Sequence, residues 1–186
     1  SNTIFAGDLH GVAVFGKSWL PARLQSKESP VAEVTRKGRA IHTDTGVVNM
    51  VRNTLRDNKG VAVFAQQSGV RVVMESNSIE ENLGGIAVHA GAVVNMKNDT
   101  LRANQQFGAR CEGNHSGLIM QQCTIMESKS GVAVSDSGLT KLANCAVERT
   151  ENATYSCSRA TLELEKCTIN NNDNAMLVEE FGVISA

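Results

Sequence analysis

The 186-residue chain has few aromatic residues, little proline and no excess of charge of either sign. Aromatic residues make up 4% of it, two residues are proline, and the formal net charge is −1. A chain without a strong basic balance lacks the electrostatic footprint of proteins that bind nucleic acid or anionic membranes. No apolar run approaches the ~18 residues needed to span a bilayer. We therefore expect neither a nucleic-acid partner nor a membrane partner.

The chain also lacks the even set of cysteines that a disulfide framework requires. Its five cysteines are Cys111, Cys123, Cys145, Cys157 and Cys167, and no two of them form a Cys-x-x-Cys pair. An odd count without such pairs is typical of a reducing compartment rather than of a small secreted domain. The sequence therefore predicts free thiols and a cytoplasmic location.

What the chain does have is a repeat. Similar stretches open at Gly11, Gly38, Gly60, Gly85, Gly108, Gly131, Asn152 and Asn174. From Gly38 onward the mean spacing is (174 − 38)/6, or about 23 residues, a period that indicates a solenoid or a related repeat architecture. Aligned on these positions, Val61 pairs with Ile86 and Val63 pairs with Val88.

Each period contains three short runs in which apolar residues alternate two by two, which is the pattern of β-strands. Glycine, asparagine, serine and charged residues separate the runs and favour turns. Parallel stacking of such coils ~4.8 Å apart buries side chains that one coil cannot bury alone, and parallel crossovers are right-handed. The sequence predicts an all-β, right-handed parallel β-helix of seven to eight coils, each of roughly 22–23 residues. Residues 11–186 are expected to form one domain of a larger protein, preceded by a tag remnant and lead-in at 1–10.

Four columns, with one residue from each period, are predicted to point inward. Three are aliphatic: Met50, Met74, Met96, Met120, Leu142, Leu164; Val48, Val72, Val94, Leu118, Thr140, Leu162; and Leu55, Ile79, Leu101, Ile125, Val147, Ile169. The fourth is Asn53, Asn77, Asp99, Cys123, Cys145 and Cys167. Stacked amides can satisfy one another there, and the change to cysteine predicts a small apolar continuation of the ladder. A metal site is disfavoured because ligands in single file do not converge on one point.

The repeated pattern G-[VI]-A-V … M-x-x-[NC]-T-[IL]-x-x-N, as in GIAVHAGAVVNMKNDTLRAN, resembles the repeats of the pectate-lyase-like β-helix superfamily. Within that superfamily the chain is most similar to the intracellular branch of β-helix F-box proteins and Shc SH2-domain-binding protein relatives. The resemblance covers nearly the whole chain from Gly11. It implies a recognition module inside a larger protein or, as in the secreted members, a module that acts on polysaccharides. A shared fold does not choose between these.

The residues themselves disfavour catalysis. Cleavage of a polysaccharide needs gathered carboxylates, or a basic residue beside carboxylate-bound Ca²⁺. The outward column predicted for the first strand holds no such set: Ala13, Ala40, Ala62, Ala87, Arg110, Ala133, Thr154 and Met176. No cofactor is implied. The sequence favours a non-catalytic protein-recognition scaffold, with a carbohydrate-binding or polysaccharide-cleaving module as the alternative.

A second outward column is the candidate binding site. On the predicted register it runs Phe15, His42, Phe64, His89 and Glu112, with Arg110 two residues before Glu112. Aromatic and imidazole groups ~4.8 Å apart beside a strip of alanines would form a shallow groove for an extended peptide or a sugar ring. The alternative is that these side chains only cover the end of the core. The open edge of the last coil is also expected to allow end-to-end self-association.

Overall fold

The computed structural model describes residues 2–5, 10–15, 41–42 and 47–186, with side chains from Val47 onward. The described residues form β-strands in three sheets, and every pair of neighbouring strands is parallel. Each coil contributes one strand to each sheet, which confirms the predicted parallel β-helix. No helix within these ranges is long and apolar enough to cross a membrane.

The strands are numbered in chain order, and successive strands of each sheet are hydrogen-bonded neighbours in space. Sheet A contains β1 (Asn2–Phe5), β5 (Asn53–Arg56), β8 (Ser78–Glu80), β11 (Thr100–Arg102), β14 (Thr124–Met126), β17 (Ala146–Glu148) and β20 (Thr168–Asn170). Sheet B contains β3 (Ile41–His42), β2 (His10–Phe15), β6 (Val61–Gln66), β9 (Gly84–His89), β12 (Phe107–Glu112), β15 (Ser130–Ser135), β18 (Asn152–Ser156) and β21 (Asn174–Val178). Sheet C contains β4 (Val47–Val51), β7 (Arg71–Glu75), β10 (Val93–Lys97), β13 (Gly117–Gln121), β16 (Leu139–Ala143), β19 (Thr161–Glu165) and β22 (Val183–Ser185).

The described residues form six complete coils, from β4–β5–β6 to β19–β20–β21, fewer than the seven to eight predicted. The first two periods do not stack in sequence order. Strand β2 pairs directly with β6, so that Val12 lies opposite Val63. Strand β3 lies on the other side of β2, with Ile41 opposite Val14. Strand β3 therefore does not lie between β2 and β6.

The three aliphatic columns pair as predicted. In sheet C, Met50 lies opposite Met74, and the register continues in step to Leu164. In sheet A, Leu55 lies opposite Ile79, and that register continues to Ile169. Side chains of similar volume stack on one another, which fills the tube at the packing density of a protein interior.

The predicted register of sheet B is wrong. Val63, not Val61, lies opposite Ile86, and Ala65 lies opposite Val88. The physical cause is a column of small residues at the corner between sheets A and B, where coils approach closely. A Cβ atom on Gly85 would lie 2.1 Å from the Gly108 carbonyl oxygen. This column runs Ala62, Gly85, Gly108, Gly131, Ala153 and Ala175, so that Ala62 and Ala153 replace Gly60 and Asn152 in the alignment.

The predicted asparagine ladder lies at the corner between sheets C and A. Asn53 donates its backbone N–H and its side-chain amide to Oδ1 of Asn77, at 2.9 and 3.0 Å. Asn77 makes the same two bonds to Oδ1 of Asp99, at 2.7 and 2.8 Å, and donates Nδ2 to the Met50 carbonyl at 2.9 Å. Each rung thus satisfies polar groups of the coil before it.

Where the column changes to cysteine, Cys123 and Cys145 belong to the hydrophobic core and Cys167 packs against it, and only weak thiol hydrogen bonds to backbone carbonyls are found. The Cys145 thiol donates to the Met120 carbonyl and the Cys167 thiol to the Leu142 carbonyl, each at 3.5 Å. These carbonyls occupy the place that Met50 has opposite Asn77. A thiol is a weak donor and a weak acceptor, which is why it can take this position. All five cysteines are free, as predicted.

A second ladder at the corner between sheets A and B escaped the sequence analysis. Asn58 donates Nδ2 to Oδ1 of Asn82 at 2.7 Å, and Asn82 donates Nδ2 to Oδ1 of Asn104 at 3.0 Å. Asn104 in turn donates to the Ile79 carbonyl at 3.0 Å. The signal was present, because these residues are the last asparagine of the repeated pattern. The ladder fixes the corner from which the strands of sheet B begin.

Candidate functional site

The outward positions of sheet B form two columns of side chains. The first is Phe64, Ala87, Arg110, Ala133, Tyr155 and Leu177. The second includes Gln66, His89, Glu112 and Ser135. We call the surface formed by these residues the sheet B face. It is the surface on which the sequence analysis placed its candidate site.

Four of the six predicted site residues lie on the sheet B face: Phe64, His89, Arg110 and Glu112. The predicted single column is nevertheless wrong, because Phe64 lies opposite Ala87 and it is Gln66 that lies opposite His89. The remaining two, Phe15 and His42, lie opposite each other in β2 and β3, and Phe15 also lies opposite Gln66. The side chains of Phe15 and His42 lie outside the described residues.

Three residues of the predicted alanine-rich column do not face outward. Ala62 belongs to the small-residue corner and is fully buried. Thr154 lies opposite inward Val132, is fully buried, and donates its hydroxyl to the Ala175 carbonyl at 3.0 Å. Met176 lies opposite Thr154 and is an inward position of the last coil. The outward places in these coils belong to Phe64, Tyr155 and Leu177.

Phe64 and His89 form an aromatic pair. Their ring centroids are 5.2 Å apart and the planes are tilted by 38°, within the range of favourable aromatic contacts. His89 is a diagonal neighbour of Phe64, two residues beyond the directly opposed Ala87. The Phe64 side chain therefore inclines along β9 toward His89, and the directly opposed Ala87 is only 2% exposed.

A charged pair extends this cluster along β12. Glu112 Oε2 lies 3.8 Å from His89 Nδ1, and Arg110 Nη2 donates a hydrogen bond to the same oxygen. Burial lowers the pKa of His89; Glu112 partly opposes this effect and Arg110 adds to it. The imidazole is therefore neutral at pH 7, and the charges of Arg110 and Glu112 offset each other.

Tyr155 is the outward residue that the sequence analysis missed. Its hydroxyl donates to Glu179 Oε2 at 3.0 Å, so the side chain extends toward the last coil. Alignment on Asn152 assigned the outward place to Thr154. Alignment on the small residue Ala153 would have placed Tyr155 outward, beside Ala133.

The sheet B face combines aromatic rings with a few charged and polar groups. The backbones of Glu112 and Glu179 are three strand spacings apart in sheet B, about 14 Å. The described residues contain no group of three or more His, Cys, Asp or Glu side chains that could hold a metal ion. Aromatic rings, one guanidinium and hydroxyl groups remain, and these stack and form hydrogen bonds.

The family model for the right-handed β-helix region matches residues 39–183. The chain belongs to the right-handed β-helix family. Comparison with curated proteins and with solved structures found no significant match. The family description specifies a fold and no activity, so the function of this β-helix has to be argued from the residues of the sheet B face.

Proposed function

We propose that this β-helix is a non-catalytic recognition domain of a larger intracellular protein, and that the sheet B face binds an extended segment of a partner protein. The observation that carries the proposal is the gathering of Phe64, His89, Arg110 and Tyr155 on one face. Aromatic residues and arginine dominate the energetics of protein interfaces. The positions between them are small or neutral: Gln66, Ala87, Ala133 and Ser135.

The dimensions of the face support an extended occupant. From Phe64 on β6 to Tyr155 on β18 there are four strand spacings, about 19 Å. An extended chain covers this length with about six residues, since each residue spans at most ~3.6 Å. A ligand that lies along the face can contact several of these side chains at once. The resemblance to intracellular β-helix proteins and the five free thiols support the same assignment.

The alternative is a module that binds or cleaves polysaccharides. It finds support in the aromatic side chains of the face but not in its carboxylates, because Glu112 is held by Arg110 and the backbone of Glu179 lies about 14 Å from that of Glu112. Polysaccharide fragments can therefore be tested directly as ligands or substrates of this protein. Binding or cleavage of oligogalacturonides that depends on Arg110 would favour this alternative over a protein partner.

Selection from a phage-displayed library of random 12-residue peptides tests the proposal. Selected peptides are then measured by fluorescence anisotropy against the wild type, Arg110→Ala and the double variant Phe64→Ser with Arg110→Ala. A matched control is Lys141→Ala, because Lys141 is an outward residue of sheet C that pairs with Glu163 at 2.6 Å. We expect at least a tenfold loss of affinity for the double variant and no change for the control, since hot-spot side chains contribute about 2 kcal/mol or more.

If loss of the Phe64 ring alters the fold, the single variant Arg110→Ala still tests whether the face binds the peptides. Thermal unfolding of each variant is measured in parallel, and Arg110→Ala should change the melting temperature by only a few degrees because Arg110 is exposed. Failure to select any peptide, or peptides that bind the double variant as well as the wild type, would overturn the proposal.

A further inference from the structure

The first column of the sheet B face alternates large and small residues: Phe64, Ala87, Arg110, Ala133 and Tyr155. Each alanine therefore forms the floor of a gap between two large side chains. The gaps differ in one respect, because Ala87 is buried whereas Ala133 is only half-buried. We call the open gap above Ala133, between Arg110 and Tyr155, the Ala133 slot.

The two gaps differ because the large side chains beside them point in different directions. Beside Ala87, the directly opposed Phe64 inclines toward the alanine's own strand, where its ring contacts His89. Arg110 has the equivalent place before Ala133, but its guanidinium binds Glu112 on its own strand. On the other side, Tyr155 extends away from the slot toward Glu179. Neither large neighbour of Ala133 inclines toward its strand as Phe64 inclines toward that of Ala87.

The width of the Ala133 slot suits one flat ring. Arg110 on β12 and Tyr155 on β18 are two strand spacings apart, about 9.6 Å. A ring midway between them lies about 4.8 Å from each side-chain stem. Small rotations of the two side chains bring this separation to the ~3.5–4.0 Å of optimal carbon contacts.

We infer that the Ala133 slot binds one aromatic side chain of the partner segment, stacked over Ala133 between the guanidinium of Arg110 and the ring of Tyr155. This inference rests on the proposed function. The occupant is argued from the chain itself, because the equivalent alanine, Ala87, lies beside an aromatic pair, Phe64 and His89, and is only 2% exposed. The two walls add a cation–π contact and an aromatic contact, neither of which an aliphatic side chain would gain.

The variant Ala133→Leu tests the inference by filling the slot. Ala133 is an outward position, so the leucine adds atoms without removing a contact within the core. Ala143→Leu is the matched control, because Ala143 is a half-buried outward alanine of sheet C in the next coil. For peptides selected on the wild-type protein, we expect Ala133→Leu to lower the affinity about tenfold and Ala143→Leu to leave it unchanged.

The same peptides carry the second half of the test. They should share one Phe, Tyr or Trp, and its replacement by alanine should lower the affinity for the wild type about tenfold but have little effect on the affinity for Ala133→Leu. Should Ala133→Leu fail to fold, Tyr155→Ala and Tyr155→Phe replace it. Alanine removes the stacking wall and should lower the affinity about tenfold, whereas phenylalanine keeps the ring and should retain binding.

The outcomes separate the inference from the proposed function. Peptides that depend on Phe64 and Arg110 but tolerate Ala133→Leu, or that need no aromatic residue, would overturn the Ala133 slot and leave the sheet B face as the binding surface. Peptides that tolerate the double variant, or a selection without binders, would overturn both.

Discussion

Asp99 is the one carboxylate in the inner asparagine ladder, and its replacement by asparagine tests what holds neighbouring coils together. Its Oδ1 accepts two bonds from Asn77, and its Oδ2 accepts the Lys97 backbone N–H at 3.1 Å. An ionised carboxylate has no donor, whereas Asn77 donates Nδ2 to the Met50 carbonyl. The equivalent carbonyl for residue 99 belongs to Met74, which lies opposite Met50. We predict that Asp99→Asn stabilises the protein at neutral pH.

The expected gain is about 1 kcal/mol at pH 7. Asparagine would lose the bond from Lys97 and gain the bond to Met74, and two such bonds contribute similar amounts. The remaining difference is the cost of a buried charge, for which we take the lower end of the ~1–3 kcal/mol lost by an inadequately paired buried group. For a chain of this size, about 1 kcal/mol corresponds to a rise in melting temperature of about 2–4 °C.

The pH dependence follows from the pKa of Asp99. Burial raises this pKa above the ordinary value of 3.8, against the opposing effect of hydrogen bonds from Asn77 and Lys97. The folded state then holds the proton more tightly than the unfolded state does. The stability that protonated Asp99 contributes is present in full below about pH 3.8, and it is lost as the pH rises through the folded-state pKa. Asparagine does not titrate, so the advantage of the variant should grow over that rise.

Urea unfolding followed by circular dichroism, at intervals from about pH 4 to 8, measures this difference. The control is Asp136→Asn, an exposed residue with φ of 50°, a conformation that aspartate and asparagine both tolerate. We expect a growing advantage for Asp99→Asn and a constant difference for the control. A variant that is less stable than the wild type at pH 7 would refute the reasoning, because the N–H bonds to the carboxylate would then outweigh its burial.

Two further predictions concern packing between coils and at the last coil. A Cβ on Gly108 would lie 2.4 Å from Ile125 Cγ2, so Gly108→Ala should lower stability by about 1–3 kcal/mol in thermal unfolding. Gly117→Ala is the control, with the nearest atom at 3.6 Å, and an equal loss in both variants would contradict the steric argument. Met176 and Val178 are inward positions of edge strand β21 and are each 48% exposed, so we expect concentration-dependent association that Val178→Lys weakens. Sedimentation velocity measures it, and a wild-type monomer at all concentrations would contradict the expectation.

The registers of sheets A and C were predictable because the corner between them has a fixed length. Five residues separate Met50 from Leu55, Met74 from Ile79, and the equivalent pairs in the later coils to Leu164 and Ile169. Each of these corners is made by one residue with positive φ, such as Ser76 at 58°. A single left-handed residue leaves no room for insertions. The alternation of aliphatic residues therefore stays in step from coil to coil.

The register of sheet B was not predictable in the same way, because the corner before it varies. Leu55 and Val63 are eight residues apart, whereas Ile79 and Ile86 are seven apart. An alignment on glycines places this difference in corner length at the wrong position, and it therefore shifts the predicted register of the strand that follows. What fixes the register is the close approach of neighbouring coils at the small-residue corner, which is occupied by glycine at 85, 108 and 131 and by alanine at 62, 153 and 175. Because alanine takes the place of glycine in some coils, the column does not show in the spacing of glycines.

One register error is a shift by an even number of residues and the other by an odd number. This difference explains which site residues could be identified from the sequence. In β6 the alignment was wrong by two residues, and because side chains alternate with a period of two, a shift of two keeps a residue on the same face. Phe64 therefore stayed outward and still reaches His89 as a diagonal neighbour. In β18 the alignment was wrong by one residue, which exchanges the faces of a strand. Thr154 was taken as outward although it is buried, and Tyr155 was lost from the candidate site. Tyr155 is one of the two walls of the Ala133 slot, so a register wrong by one residue in β18 also removes this slot from the predicted surface.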